Sequence, residues 1–339
     1  MAETLELFGL TLNQTRILFS IDKYLVETDI EGSKADKKKI KREWLREWQS
    51  AILAYLKGID ETVDSLYGLY DIHEQVKAEK ENTESMTWYY MIVLESSIFS
   101  AYTPLNEDIK KYKTLKYSNQ IETVKNLVKV DGYIEPDYVE EMRSEYMQNA
   151  KKLQGKGNKT IVALFSAVAV AAAAAALCAV FAGPIAVALV GGQFAGLYGA
   201  ALTSASLALL GGGAIAAGGA GMFGGFAVIV GGGAVLGLAA GGVLSNALLS
   251  SPKYIVSECA KFQTVIKKVI VGCLQDISLA KNILEEYNKE IDKLEENLKN
   301  ARGEKDQKND LKKIRQSITY MKTTRDDCWK FIEDAENAR

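Results

Sequence analysis

Apolar positions fall into three regimes along the chain. At residues 5–26, Leu5, Phe8, Leu12, Ile17, Ile21 and Leu25 recur every third to fifth position, which predicts an amphipathic helix. Residues 29–39 are polar and predict a loop. From Ile40 onward, Trp44, Trp48, Ile52, Leu56, Ile59, Val63, Leu66 and Tyr70 recur at intervals of three or four. That places them on one stripe of a helix of about 40 residues, ~60 Å long. An apolar-rich stretch at 86–102 closes at Pro104. Shorter helices are predicted at 106–130 and 136–153, the latter with Pro136 in its first turn.

The second regime exceeds the ~14 wholly apolar residues that a soluble core helix usually carries, although a wholly soluble protein with a buried core hairpin is a further reading. From Thr160 to Pro252, 93 consecutive residues carry no charged side chain. Residues 161–182 alone reach the ~20 apolar residues needed to cross a bilayer. Gly183-Pro184 breaks that stretch, and 185–210 offers a second span. The stretches 214–230 and 234–249 are shorter and richer in glycine. Lys151, Lys152, Lys156 and Lys159 flank one end of the block, and Lys253, Lys261, Lys267 and Lys268 follow the other. Charge at both ends places the flanks on one side of a membrane, so the number of crossings is even, two or four.

Beyond the block, Cys259, Phe262, Ile266, Val269, Cys273, Ile277, Ala280, Leu284, Tyr287, Ile291, Leu294 and Leu298 alternate at spacings of three and four, with one slip between Cys273 and Ile277. This near-heptad seam predicts a single helix over 253–300, ~70 Å long. Arg302-Gly303 marks a turn. Leu311, Ile314, Ile318, Met321, Arg325, Trp329 and Ile332 then trace a returning helix, with Arg325 interrupting its stripe. No segment sustains a period of two. The expected fold is all-α, an elongated bundle of long antiparallel helices with a mid-chain hydrophobic membrane-inserting head. Its expected divisions are an N-terminal helical tail region (1–158), the uncharged Ala/Gly-rich head (159–252) and a C-terminal long-helix hairpin (253–339).

Composition sharpens this picture only inside the block. Of the 28 glycines, 19 lie between residues 160 and 252. Gly233, Gly237 and Gly241 form an unbroken GxxxGxxxG, and Gly192/Gly196 and Gly221/Gly225 add single pairs. Glycines four apart stack on one helix face and let neighbouring backbones approach closely, so these seven are the expected helix-packing residues. The expected membrane-inserting residues are Ile161, Leu164, Phe165, Val168, Leu177, Phe181, Ile185, Leu189, Phe194, Leu207, Phe223, Phe226, Ile229, Leu236 and Leu244. Glycine-dense helices are weak in water. Such a block can therefore fold back in one state and become helical in lipid in another.

Net charge is −2, from 41 basic and 43 acidic residues, so nothing global points to nucleic acid. Candidate chemistry is sparse. His73 is the single histidine and reads as a solvated helix residue. Cys178, Cys259, Cys273 and Cys328 form no CxxC and read as small packing residues, with Cys259 and Cys273 on one helix face. The stretch from Gly155 to Thr160 lacks the spacing of a phosphate loop. Pairs such as Glu140/Glu141, Glu285/Glu286 and Glu295/Glu296 sit near basic residues and read as solvated faces. No enzyme, cofactor, metal or small-molecule substrate is expected. The first residues show neither a basic n-region nor an apolar h-region, so synthesis in the cytoplasm without a cleaved signal is expected.

An amphipathic N-terminal helix, long helices, a mid-chain uncharged block and a returning pair of long helices together resemble the cytolysin A superfamily of α-helical pore-forming toxins. That superfamily includes haemolysin E and the haemolysin BL and non-haemolytic enterotoxin components. The resemblance is one of architecture and covers most of the chain. It implies a soluble form that hides an apolar head, followed by release, insertion of residues 160–251 into a target bilayer and oligomerisation, with or without companion subunits. It also implies that residues 5–26 line the pore. The block here is longer and richer in glycine than a simple hairpin. Type III secretion translocators and the apolipoprotein L group share the gross plan. A constitutive membrane-anchored coiled-coil scaffold is the alternative reading.

Overall fold

The computed structural model describes residues 10–99, 101–102, 112, 114–155, 252–300 and 308–338. Among them the chain is all-helical, with no strand. The described helices before the uncharged block are α1 (Leu12–Glu31), α2 (Ala35–Ile59), α3 (Leu69–Asn82), α4 (Thr87–Ile98), α5 (Gln120–Asp131) and α6 (Pro136–Gln154). After it come α7 (Pro252–Thr264), a π-helical segment (Val265–Cys273), α8 (Ile277–Asn300) and α9 (Lys308–Asn337). No helix among the described residues is long and apolar enough to cross a membrane.

α1 begins at Thr11, whose hydroxyl accepts from the Gln14 backbone N–H while the Gln14 side chain accepts from the Thr11 N–H. This capping box satisfies two orphan donors and fixes the start of α1 at Leu12. Leu5 and Phe8, the first two positions of the expected stripe, lie outside the described residues. The helix runs on to Glu31, into the polar stretch expected to be loop. It packs against α2, α3, α4 and α5. Residues 17–22 are all buried, while the half-exposed Leu12, Arg16, Lys23, Tyr24, Glu27 and Thr28 fall on one side of the helix, so α1 is amphipathic with its apolar face inward. Its polar side is met by protein. The Ser20 hydroxyl accepts from the Tyr67 N–H at 2.9 Å, and Asn13 donates to Glu79 at 2.7 Å.

Asp29 explains why the helix end is fixed. Its carboxylate receives Lys41 Nζ at 2.5 Å, the Tyr102 hydroxyl at 2.5 Å, and both the N–H and hydroxyl of Ser118 at 3.0 Å. Burial works to raise its pKa, but these four donors outweigh it and hold Asp29 below the usual carboxylate range. One side chain thereby ties α1, α2 and two connecting segments together. Around it the rings of Trp44 and Trp48 stack at 6.0 Å, with Tyr102, Phe99 and Phe19 packed at their edges.

The 40-residue helix expected from Ile40 is two helices. Helix α2 ends at Ile59, where the Asp60 carboxylate takes the N–H and hydroxyl of Thr62 at 2.9 and 2.7 Å in an Asx turn. Val63 and Leu66 stay buried in the non-helical connection, so their spacing recorded burial and not helix. Likewise α5 starts at Gln120 rather than near 106. Residues 115–118 are not helical, and the Gln120 amide caps the carbonyls of Ser96 and Phe99 at the end of α4. Helices α6 and α9 lie where expected, while the turn expected at Arg302-Gly303 lies outside the described residues. The helix expected over 253–300 is broken at 274–276, at the single slip in its seam. There the Leu274 N–H reaches Val269 O at 2.9 Å, a π-type bond, and Gln275 adopts φ 55°.

Trp48 is wholly buried between α1 and α2. Trp48→Ala should lower unfolding stability by about 3–5 kcal/mol, read from urea denaturation. A loss under ~1 kcal/mol would show that α2 is not seated by this ring.

Candidate functional site

None of the residues expected to enter or pack within a membrane is among the described ones. Ile161, Leu164, Phe165, Val168, Leu177, Phe181, Ile185, Leu189, Phe194, Leu207, Phe223, Phe226, Ile229, Leu236 and Leu244 all lie outside them. So do the seven expected packing glycines, Gly192, Gly196, Gly221, Gly225, Gly233, Gly237 and Gly241, and so does Cys178. What the structure does place is the apparatus on which that block is mounted. The chain leaves the helical body after α6, where Gly155 turns with φ 72°, a conformation that a side chain would strain. It returns at Pro252, the first residue of α7.

Helix α6 and the α7–π unit lie side by side and run antiparallel. At one end the Tyr138 hydroxyl donates to Lys268 O and stands 3.3 Å from where a Cβ on Gly272 would sit. Eight residues further along α6, Tyr146 meets Ser257, at 3.0 Å, which lies eleven residues back along α7. Helix α4 supplies the same two levels, with Tyr90 beside Tyr138 and Glu95 bonded to Lys261. Antiparallel pairing brings the exit at Gly155 and the re-entry at Pro252 to the same end of the pair.

Between those helices sits a buried polar cluster. Lys261 Nζ lies 2.6 Å from Glu95 of α4 and 2.8 Å from Glu258 one turn back on α7. The Lys261 and Glu258 side chains are only 6% and 3% exposed. Burial acts against the ammonium charge, but Glu258 and Glu95 outweigh it and hold the Lys261 pKa well above the ordinary lysine value. Tyr146 faces the same group. Burial pushes its pKa up to about 12, with Lys261 and the Ser257 hydrogen bond pulling the other way. Asp22 of α1 extends the cluster on the Glu95 side. It is buried, its Oδ1 has no hydrogen-bond partner among the described residues, and burial followed by the nearby Glu95 charge raises its pKa well above the usual range. Three carboxyl groups thus share a buried region with one ammonium, and Asp22 is the one driven to hold a proton.

Further ion pairs fasten the same seam. Lys267 reaches Glu145 at 3.2 Å and Asn149 at 2.9 Å, and Lys268 reaches Glu141 at 3.1 Å. The Glu140/Glu141, Glu285/Glu286 and Glu295/Glu296 pairs expected on solvated faces do meet lysines, through Lys125, Lys268, Lys289 and Lys322. Of these, Glu141 alone spans from α6 to the π segment.

His73 departs from expectation. It is not a solvated residue but pairs through Nδ1 with Asp131 at 2.5 Å, and the Tyr89 hydroxyl donates to the other oxygen of that buried carboxylate. Asp131 thus joins α3, α4 and α5. The cysteines split. Cys259 and Cys328 are buried packing residues, as expected, and burial pushes the Cys259 thiol up to about 12. Cys273 is exposed, so it does not share the buried face of Cys259. Arg325, the interruption in the α9 stripe, hydrogen-bonds Asn288 of α8 at 2.6 Å beside an open surface groove lined by Glu285, Lys289 and Trp329. No group of three or more histidine, cysteine, aspartate or glutamate side chains suited to a metal ion occurs among the described residues.

The buried cluster went unnoticed in the sequence, although a signal was present. Glu95 is the one charged residue between Met86 and Tyr102, and Lys261 stands between the seam residues Cys259 and Phe262. A charge held inside an apolar stretch is fully buried only where it is paired. Comparison with protein-family models, curated proteins and solved structures gave no match to this chain.

Two variants check the assignments. Asp22→Asn should stabilise the protein at neutral pH, because it replaces a carboxyl that folding wants protonated. The raised folded pKa means the Asp22 contribution is intact below the unfolded value of about 3.9 and is lost as pH rises through the folded one. The advantage of the asparagine should therefore vanish in strong acid and grow on going to neutral. Lys261→Met alone should destabilise by about 3–5 kcal/mol at pH 7, since it strands Glu258 in the interior. Urea midpoints across pH 3–8 read both.

Proposed function

We propose that this chain is a non-enzymatic, membrane-inserting protein that oligomerises to permeabilise a target bilayer. In this reading the described helices form an elongated antiparallel bundle, and residues 160–252 are the part that enters lipid. One observation carries the proposal: 93 uncharged residues are mounted between two antiparallel helices whose block-side ends coincide. A segment held that way must leave and return on one side, which matches an even number of bilayer crossings. Its length exceeds what one or two spans of ~20 residues require.

Transfer of the apolar block into hydrocarbon supplies attachment, and close approach at the glycine faces joins helices within the membrane. Partners are then the bilayer and further copies of the chain, with companion subunits of a multi-component toxin as an extension. The protein is released from the producing cell and associates with a target membrane. The buried surroundings of α1 argue for a dormant form in which that helix is stored and not yet facing a pore. The alternative, a permanent membrane-anchored coiled-coil scaffold, draws on the packed α8–α9 hairpin.

Purification distinguishes the two. The toxin reading expects material that stays in solution without detergent and later releases dye from liposomes, whereas an anchor needs detergent throughout and releases none. Gly237→Leu should cut dye release by roughly tenfold or more, because a branched side chain blocks close helix approach. Unchanged release would remove the glycine-packing element.

A further inference from the structure

We infer that the block-side end of the helical body is a cationic docking surface for an anionic lipid bilayer, which seats the protein with its uncharged block toward the lipid. The docking surface rests on the membrane-inserting reading above and names the kind of bilayer that reading requires.

Side-chain contacts define the two ends of the body. The far end holds Tyr138 and Gly272, with Tyr90 of α4 beside them, and the block-side end holds Gly155 and Pro252. Helix α1 runs from the first to the second. Asn13 near its start bonds Glu79 toward the end of α3, whereas Asp29 near its finish meets Ser118, just before the Gln120 that caps the end of α4. Helix α2 returns antiparallel, with Lys41 on Asp29 and Trp48 against Phe19. Its first residues and Lys34 before them therefore stand about two turns beyond Lys41, at the block-side end. Helix α9 is fixed by Lys281–Glu336 near the far end and by Lys322–Glu295 higher up. Lys312 and Arg315, in its first turns, thus also stand at the block-side end.

Charge divides along this axis. The stretches nearest the block, 31–40, 149–155, 252–256, 294–300 and 308–316, hold twelve lysines and arginines against five carboxylates. Those at the far end, 79–86, 131–141, 268–281 and 330–337, hold four against twelve. A net charge of −2 over the whole chain conceals the division. Lys34, Lys39, Lys151, Lys312 and Arg315 are exposed, and none of them pairs with a carboxylate among the described residues. At the far end, Lys268 and Lys281 are held by Glu141 and Glu336. Helix α6, 19 residues long, spans the two ends and measures about 28 Å at 1.5 Å per residue. That is more than three times the ~8 Å screening length at physiological salt. An anionic surface at the cationic end therefore attracts it, while the acidic end stays beyond the reach of repulsion. End-on approach is the favoured orientation.

The position of the block selects the partner. A run of 93 uncharged residues leaves the body and re-enters it at this same end, at Gly155 and Pro252. The acidic end of a second copy would complement the cations but offer nothing to the block. An anionic bilayer offers headgroup phosphates to the lysines and hydrocarbon to the block within one surface. Each lysine or arginine near such a surface strengthens attachment roughly fivefold, the equivalent of about 1 kcal/mol. Lysine and arginine keep their charge from neutral pH into acid, so lipid charge and salt govern the docking.

The test is flotation of the full chain with vesicles of phosphatidylcholine, with and without phosphatidylglycerol, at physiological salt. Anionic vesicles should bind it on the order of a hundredfold more tightly than neutral ones, and the difference should shrink as salt is raised to ~0.5 M. Lys34→Glu/Lys39→Glu/Lys151→Glu should weaken binding to anionic vesicles on the order of a hundredfold or more. Lys77→Glu/Lys129→Glu/Lys330→Glu makes the same change of net charge at exposed positions away from the block-side end, and should weaken it by under about threefold. Lysine acetylation read by mass spectrometry reports the orientation. Lys34, Lys39 and Lys151 should be shielded on anionic vesicles, while Lys77 and Lys330 react as they do in solution. Equal loss in the two triple variants, or equal binding to neutral and anionic vesicles, overturns the proposal. So does salt-sensitive self-association of the free chain that the first triple variant abolishes, without vesicle binding, which would give the cationic end to the acidic end of another copy. Dye release is measured in parallel. Docking without release sinks the permeabilising reading and leaves the docking surface, whereas undiminished release from neutral vesicles does the reverse.

Discussion

A buried ammonium held between two carboxylates sets the terms for the rest of this structure. Lys261 fastens the first helix after the uncharged block to α4, deep in the interval between the N-terminal and C-terminal helices. Burying such an ion costs several kcal/mol unless its partners are placed well, and hydrophobic residues of the same volume would often hold the helices equally firmly. Loss of any one member would leave a buried charge uncompensated, a penalty that an apolar contact would not carry. The apolar packing around it, from Ile255 and Phe262 to Tyr146 and Ile318, supplies most of the cohesion.

The same logic recurs in the N-terminal helices. Asp29 binds four donors from three separate stretches of chain, and Asp131 joins His73 to Tyr89 across three helices. Each of these carboxylates acts as a brace where helices of modest length meet. Short helices bury little surface individually, so fixed polar junctions define their mutual arrangement. The long regular seam of α8 and α9 needs no such device, and its exposed ion pairs, such as Lys281–Glu336, are peripheral.

Much of the helical content was legible in the sequence. Pro136 announced the start of α6, and the stripe from Ile314 to Ile332 located α9, because in both cases local chemistry and burial agree. The slip between Cys273 and Ile277 was also a true signal, since it falls on the break after the π segment. Where the reading failed, tertiary contacts had overridden periodicity. Val63 and Leu66 keep a helical spacing in a connection that is not helical, and the Thr11 and Asp60 caps act over two or three residues that a stripe does not register. The buried cluster was missed for a different reason. A charge in an apolar run looks like an imperfection until its partner, 166 residues away for Glu95 and Lys261, is known.

The proposed function depends on lipid being the medium for residues 160–252. The most direct measurement is protection from a protease of broad specificity, since the block offers trypsin no lysine or arginine. Detergent-free protein would be added to liposomes, digested, and the membrane-bound fragments identified by mass spectrometry. The expected result is recovery of fragments from within 160–252 with the vesicles, while the flanking helices are degraded. Digestion of the block at the same rate with and without liposomes, across acidic and neutral pH and with neutral and anionic lipid, would contradict a membrane-inserting role.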